Sequence, residues 1–333
     1  MDKVKGIVKK ITSQREATVF LIIVVAVAVV SVFQPKFFTM GNLRSIALAI
    51  ATDGFFSIGL CLALILGGIE LSVGGVAAMT CVTTGYICLL GVNVWIACLI
   101  SIAIGLFVGL FNGLMVSKVG LPPFIVTLGM MNLSRGVAYI LTTGSTISVS
   151  GRLPDSFRFL ATGDVFGLPM LFIIFLIVGA IAHIFTRYSS ACRNVFFVGS
   201  NETAARLSGI NVDNVKIAVY VIVALLSTIT GILSVARFNV ATSQLSVGAE
   251  TTAISAAVIG GTSFTGGAGS ILGTFMGIAL LKVVNSALVM LNVSVYWQNF
   301  VQGAILILAV SMDYISHRER GPKKRTRKAG DTA

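Results

Sequence analysis

The feature that most constrains this chain is a series of long apolar runs, each close to the length a helix needs to cross a bilayer, joined by short polar connections. A hydrocarbon core of roughly 30 Å takes about 20 residues of helix to cross, with a working range near 17 to 25. Candidate spans fall at 17–33, 46–66, 71–90, 94–117, 122–141, 168–186, 215–236, 251–264, 270–291 and 297–312, the eighth being the shortest. Inside a bilayer every backbone donor and acceptor must be met within its own segment or in a closed barrel, and uniform rather than alternating apolarity selects helices. Composition agrees: 56% of the 333 residues are hydrophobic and 11% charged, whereas a soluble domain carries roughly a quarter charged residues. The expected fold is an all-α polytopic membrane protein with about ten transmembrane helices.

Basic residues set the orientation, because Lys and Arg accumulate on the cytoplasmic side. Lys3, Lys5, Lys9, Lys10 and Arg15 precede the first span; Lys118, Arg187, Arg193, Arg206 and Lys216 fall in connections on the same side, and seven more lie between Arg318 and Lys328. Only Lys36, Arg44, Arg152, Arg158 and Arg237 fall opposite, so both termini are expected inside. The chain divides into a basic cytoplasmic tail (1–16), a transmembrane domain (17–314) with one long inward polar segment (188–214), and a second basic tail (315–333). A net charge of +12 and the run KKRTRK raise nucleic-acid binding as a rival. Inward basic flanks facing anionic headgroups explain the same charge, so the expected partner is the lipid bilayer and not nucleic acid. The first run is followed by Gln-Pro-Lys rather than small residues and by further spans, which reads as a retained helix rather than a signal peptide. Trp95, Trp297 and Tyr314 stand at span ends, as interfacial anchors do.

The five cysteines form no CxxC pair and four lie in apolar runs, so they read as small hydrophobes. With His183 and His317 the only histidines, no metal site is expected.

The informative residues are those that break the apolar pattern. Asp53, Glu70, Arg135, Glu250 and Lys282 lie in or beside spans, where a charge costs about 2.5 to 3.5 kcal/mol on insertion scales and faces a bundle interior or a watery cavity. Pathway or gate candidates are therefore Asp53, Glu70, Asn132, Arg135, Gln244 and Glu250. Equally open at this point, Glu70 and Glu250 can be helix-terminal caps, and Lys282 can snorkel. Glycine clusters interrupt the pattern at 67–75 (Gly67, Gly68, Gly74) and 260–270 (Gly260, Gly261, Gly266, Gly267), on the inner side. They suit broken helices lining a cavity or plain tight turns. In the inner segment, GSNETAARLSGINVDN reads as a short helix capped by Asn201, with Glu202 in its first turn and Gly209 ending it. With Ala204, Ala205 and Arg206 on its surface, it is a docking element or else a solvated linker.

Four segments then carry a resemblance over about residues 32–313: GGIELSVGGVAA, LPPFIVTLGMMNLSRGVAY, GSNETAARLSGINVDNVKIAVY and AAVIGGTSFTGGAGSILGTFMG. In this order they resemble the ribose/galactoside class of ABC-transporter permeases, whose relatives handle other sugars and autoinducer-2. Glu70 stands where that class usually has aspartate, and Thr252 where sugar members often have the aspartate of Glu-Leu-Asp-Ala-Ile-Ala-Ala. The resemblance implies a non-enzymatic subunit of the bacterial inner membrane that serves ATP-driven, binding-protein-dependent import of a ribose-like monosaccharide. It implies a permease dimer, homo- or heteromeric, with ABC ATPase subunits below and a soluble substrate-binding protein above, facing 142–167 and 237–250. Residues 188–214 become the coupling segment, with Asn201, Glu202, Ala204, Ala205, Arg206 and Gly209 as its residues for coupling to the ATPase. No Walker A pattern is present, so no cofactor is expected on this chain and ATP with Mg belongs to the partner ATPases. The alternatives are the same kind of importer for nucleosides, autoinducer-2 or branched-chain amino acids, and, from another class, an ion-coupled secondary transporter.

Overall fold

A computed structural model describes residues 15–319. The basic tails at 1–14 and 320–333 lie outside the described residues, as does the side chain of Tyr314. The described chain is almost wholly helical: α1 (Arg15–Phe33), α2 (Met40–Ile65), α3 (Val73–Leu89), α4 (Val94–Leu114, wound on as a π turn through Met115–Val119), α5 (Pro123–Thr142), α6 (Asp155–Thr162), α7 (Met170–Tyr188), α8 (Ser190–Ser200), α9 (Glu202–Leu207), α10 (Val212–Phe238), α11 (Ala249–Ile259), α12 (Ile271–Met290) and α13 (Val295–Glu319). Seven of these are long and apolar enough to cross a membrane, and α3, α11 and the first part of α13 are shorter apolar helices.

Each expected span coincides with a helix, in order, but one span requires correction. The stretch 251–264 is not a crossing helix: α11 has 11 residues, about 16 Å of helix, and residues 260–264 belong to the turn that follows. In addition, α13 continues through Glu319, into the expected C-terminal tail.

Contacts between connections sort the helix ends onto two faces. On one, β1 (Ile147–Ser148) pairs antiparallel with β4 (Val240–Ala241), Arg152 Nη1 donates to Leu89 O at 2.9 Å, and Arg44 bridges to Asp164 at 2.7 Å. Asp164 opens the small hairpin of β2 (Asp164–Val165) and β3 (Leu168–Pro169). On the other, Gly267 N donates to Ile65 O at 2.8 Å, Gly266 abuts Gly67 and Gly199, and Lys118 Nζ reaches Asp213 Oδ2 at 2.7 Å. The second face carries both glycine clusters and residues 188–214, which is the side the basic residues mark as inner.

The middle of the molecule is α10, packed against α2, α3 and α4. Its approach to α4 is set by Gly105, Gly109 and Gly113, spaced four apart on one side of α4: a methyl on Gly109 or Gly113 would stand 2.7 Å from Val221 Cα or Ile217 Cα. Small residues at this spacing let backbones touch where lipid supplies no hydrophobic drive. Several hydroxyls inside the bundle are satisfied locally. Ser227, Thr228, Thr230 and Ser234 donate to carbonyls four residues back, and the hydroxyls of Thr84 and Ser101 join α3 to α4 at 2.7 Å.

Candidate functional site

At the inner face, α8 and α9 form a protruding pair. Asn201 has extended backbone and accepts from Ala204 N at 2.9 Å, so it caps α9. Gly209, at φ +82, ends it, with Gly209 N donating to Arg206 O and Ile210 N to Ala205 O, each at 3.1 Å. A chain of alternating charges ties α9 to the bundle. Lys216 Nζ donates to Glu202 Oε2 at 2.8 Å, and Arg206 Nη2 donates to Glu202 Oε1 at 3.2 Å and Asp213 Oδ1 at 3.3 Å. Lys118, at the end of α4, donates to Asp213. The Lys216 hydrogen bond, with Arg206 assisting, holds the Glu202 carboxyl below its ordinary pKa. The side chain of Leu207, 86% exposed, projects from this element together with Phe197 of α8.

Four of the charged residues inside the bundle form two groups. Arg135, on α5, donates from Nη1 to Ser243 O at 2.6 Å and Leu245 O at 3.3 Å. It thereby satisfies the backbone of a non-helical descent between β4 and α11, as irregular backbone at membrane depth requires. Ala241 lies against Gly85 of α3 and Ser246 against Gly74, so the descent covers about 16 Å along α3 before α11 begins. Glu250 Oε2, Arg135 Nη2 and Ser246 O all surround Gly74. The second group is Asp53 of α2, ion-paired to Lys282 of α12, with Arg237 Nη1 donating to the neighbouring Thr52 Oγ1 at 2.9 Å. This pair lines a polar cavity of about 550 Å³ between α2, α11, α12 and the first turns of α13, with Thr252, Gln298, Asn299 and Gln302 among its walls.

A protein-family profile described as "Branched-chain amino acid transport system / permease component" matches residues 42–310. The chain belongs to this family. Among curated relatives, the ribose import permease protein of Escherichia coli (strain K12) is 37% identical over 292 residues, 87% of this chain and 91% of that one. The L-arabinose transport system permease protein of the same organism is 34% identical over 295 residues, 89% of this chain and 88% of that one. Its D-allose transport system permease protein is 33% identical over 296 residues, 88% and 90%. No solved structure matches. The permease is thus a transport subunit of the bacterial inner membrane and works, as ABC importers do, with ATPase and substrate-binding partners.

In the permease, the sequence-derived candidates fall in separate places. Arg135, Glu250 and Gly74 converge at the descent, while Gln244, in the same descent, donates from Nε2 to Tyr139 Oη of α5 at 3.0 Å. Asp53 is paired with Lys282 and not with Arg135, and Lys282 does not snorkel. Glu70 is 3% exposed and accepts from Ser72 N at 2.6 Å just before α3, with Asn112 Nδ2 of α4 at 3.4 Å. Asn132 is exposed on α5 and donates back to Leu128 O, apart from every other candidate. Gly67, Gly68, Gly260, Gly261, Gly266 and Gly267 lie in tight turns: Gly67, Gly261, Gly266 and Gly267 have positive φ, Gly68 leaves room for Tyr220 Oη, and Gly260 touches Gly273. Gly74 is a correction, since it lies in the first turn of α3, where its missing side chain admits Ser246 O. Ala205 is a correction, since it is 4% exposed and turned into the bundle, while Ala204 stays on the surface. Three features lay outside the sequence reading. The Gly105, Gly109, Gly113 spacing was a usable signal, and so was a lone leucine, Leu207, in an otherwise polar helix. The descent at 242–248 carries no pattern that marks it.

Proposed function

We propose that the chain is the membrane-spanning subunit of an ATP-driven, binding-protein-dependent importer of a monosaccharide. Similarity to ribose, arabinose and allose permeases over nearly nine-tenths of the chain carries this reading. The geometry supports an uncharged cargo: in the cavity Asp53 and Lys282 neutralise each other, and amides and hydroxyls supply much of the remaining wall.

In this reading two such subunits, identical or related, form the membrane unit, and ATP with Mg is bound and hydrolysed on separate ATPase subunits. Those subunits dock on α8 and α9, with Leu207 and Phe197 as apolar contacts and Glu202, Arg206 and Gly209 holding the element in shape. ATP-driven closure then moves α9. The Lys216–Glu202–Arg206–Asp213–Lys118 chain passes that movement to α10 and to the end of α4. The binding protein delivers cargo at residues 142–167 and 237–250.

The test is uptake into proteoliposomes carrying the permease with its copurifying ATPase and binding protein. Labelled D-ribose, D-allose and L-arabinose are compared with L-leucine and a nucleoside. Vanadate-sensitive, ionophore-resistant sugar uptake is expected; uptake that survives vanadate and collapses with an ionophore would establish an ion-coupled transporter instead, and leucine or nucleoside uptake without sugar would reassign the cargo.

A further inference from the structure

We infer that the cavity between α2, α11, α12 and α13 is a subsite of the permease itself for a neutral polyol, in which the Asp53 carboxylate and Lys282 ammonium accept from and donate to adjacent hydroxyls. The inference rests on the sugar-import reading and adds to it a binding step inside the membrane subunit, after release from the soluble binding protein.

Three observations carry it. The first is place. Lys282 lies eight residues before the outer end of α12, about 12 Å down, and Gln298, Asn299 and Gln302 belong to the first two turns of α13 at that same outer end. The polar walls therefore lead inward from the outer face and finish at the ion pair. The second is capacity. A volume of about 550 Å³ sits within the roughly 300 to 1,000 Å³ of small-molecule pockets. Gln298 and Gln302, four apart, and Asn299 share one side of α13; Gln298 donates from Nε2 to Val293 O at 2.9 Å, and Asn299 and Gln302 add amides to the cavity wall.

The third is chemistry. A carboxylate offers about four acceptor sites and an ammonium three donors, so the single contact between Asp53 and Lys282 leaves most of their hydrogen-bonding capacity unused. Hydroxyls on adjacent carbons each donate and accept, and can bridge the two groups without leaving net charge behind. A charged cargo would have to separate the pair and bury an uncompensated ion, which is strongly unfavourable. Packing alone does not explain the pair either, because apolar side chains of similar volume would be as stable or more so.

The test uses the complete transporter in proteoliposomes, with Gln302→Cys as a reporter. The five native thiols are buried, which keeps background low. A membrane-impermeant methanethiosulfonate added from the outer face should label the reporter, and D-ribose, D-allose or L-arabinose with the binding protein should slow labelling at least threefold, whereas L-leucine should not. The doubly neutral D53N/K282Q should lose sugar uptake at least tenfold per assembled complex and lose the protection. The reversed pair D53K/K282D, which keeps an ion pair, should retain more of both than either single reversal. Wild type that imports sugar while the reporter labels at one rate with and without it overturns the subsite alone. So does a reporter that resists labelling and instead cross-links two copies, which would make the cavity a seat for a second subunit, and so does full uptake by D53N/K282Q. Wild type that imports leucine and no sugar overturns the underlying reading, and the polyol assignment with it.

Discussion

A single added carbon is tolerated badly where two backbones touch. At Gly277 of α12 a methyl would collide with the Ala256 carbonyl of α11, and at Gly199 with Ile65 O and Gly267 N. G277A is expected to cost about 1 to 3 kcal/mol, seen as a lower inactivation temperature of the detergent-solubilised permease, while G129A, on a face with nothing nearby, should not. Glu202 gives a pH prediction. Its pKa is depressed in the folded protein, so the stabilisation is full above the ordinary carboxylate range, near 4.5, and is lost as pH falls through the folded value. The side chain is 45% exposed, so solvent screening limits the effect to under about 1 kcal/mol. After correction for the slower intrinsic exchange at low pH, protection factors in α9 should fall between pH 7 and pH 4, and E202Q should show much of that loss of protection at pH 7 already.

The descent and α9 are held in different ways. The descent at 242–248 has no ladder of its own, and Arg135 supplies two of its carbonyls. Hydrogen bonds from a charged group contribute about 1.5 to 3 kcal/mol and leave unmet acceptors when removed. R135Q, whose amide is shorter and uncharged, should lower uptake at least tenfold and expose 242–248 to limited proteolysis, with the inserted amount little changed. The helix α9, by contrast, is capped within its own sequence. N201A should cost about 1 kcal/mol of local stability, read as faster exchange in 202–209. L207S touches no capping or ion-pair group, so it should leave exchange in α9 unaltered while lowering recovery of the ATPase in pull-down severalfold; equal recovery would remove Leu207 from the docking face.

Over the whole molecule, the two-face sorting of connections gives a sidedness prediction. Cysteines placed at Ser208 and Ser150 should label from opposite faces of the membrane, Ser208 from the inside, and labelling of both from one face would break the topology. Much of this was legible in the amino-acid order. Apolar run lengths marked the positions of the helices, the basic residues marked the inner face, and Asn201 and Gly209 announced the ends of α9, because hydrophobic transfer, the positive-inside bias and capping all act on neighbouring residues. What was not legible depends on residues far apart in the chain. Asp53 finds Lys282, 229 positions away, although Arg135 was an equally available partner by type. Ala205 faces inward because of how α9 lies on α10. The eighth run is half a crossing because the carbonyls of 243 and 245 are met by an arginine on α5. Sequence alone therefore determined that the chain lives in lipid as helices, since solvent and local backbone geometry decide that. Tertiary structure alone decided which charges meet, where a helix breaks and where a polar cavity opens, since those follow from packing between segments that share no local pattern.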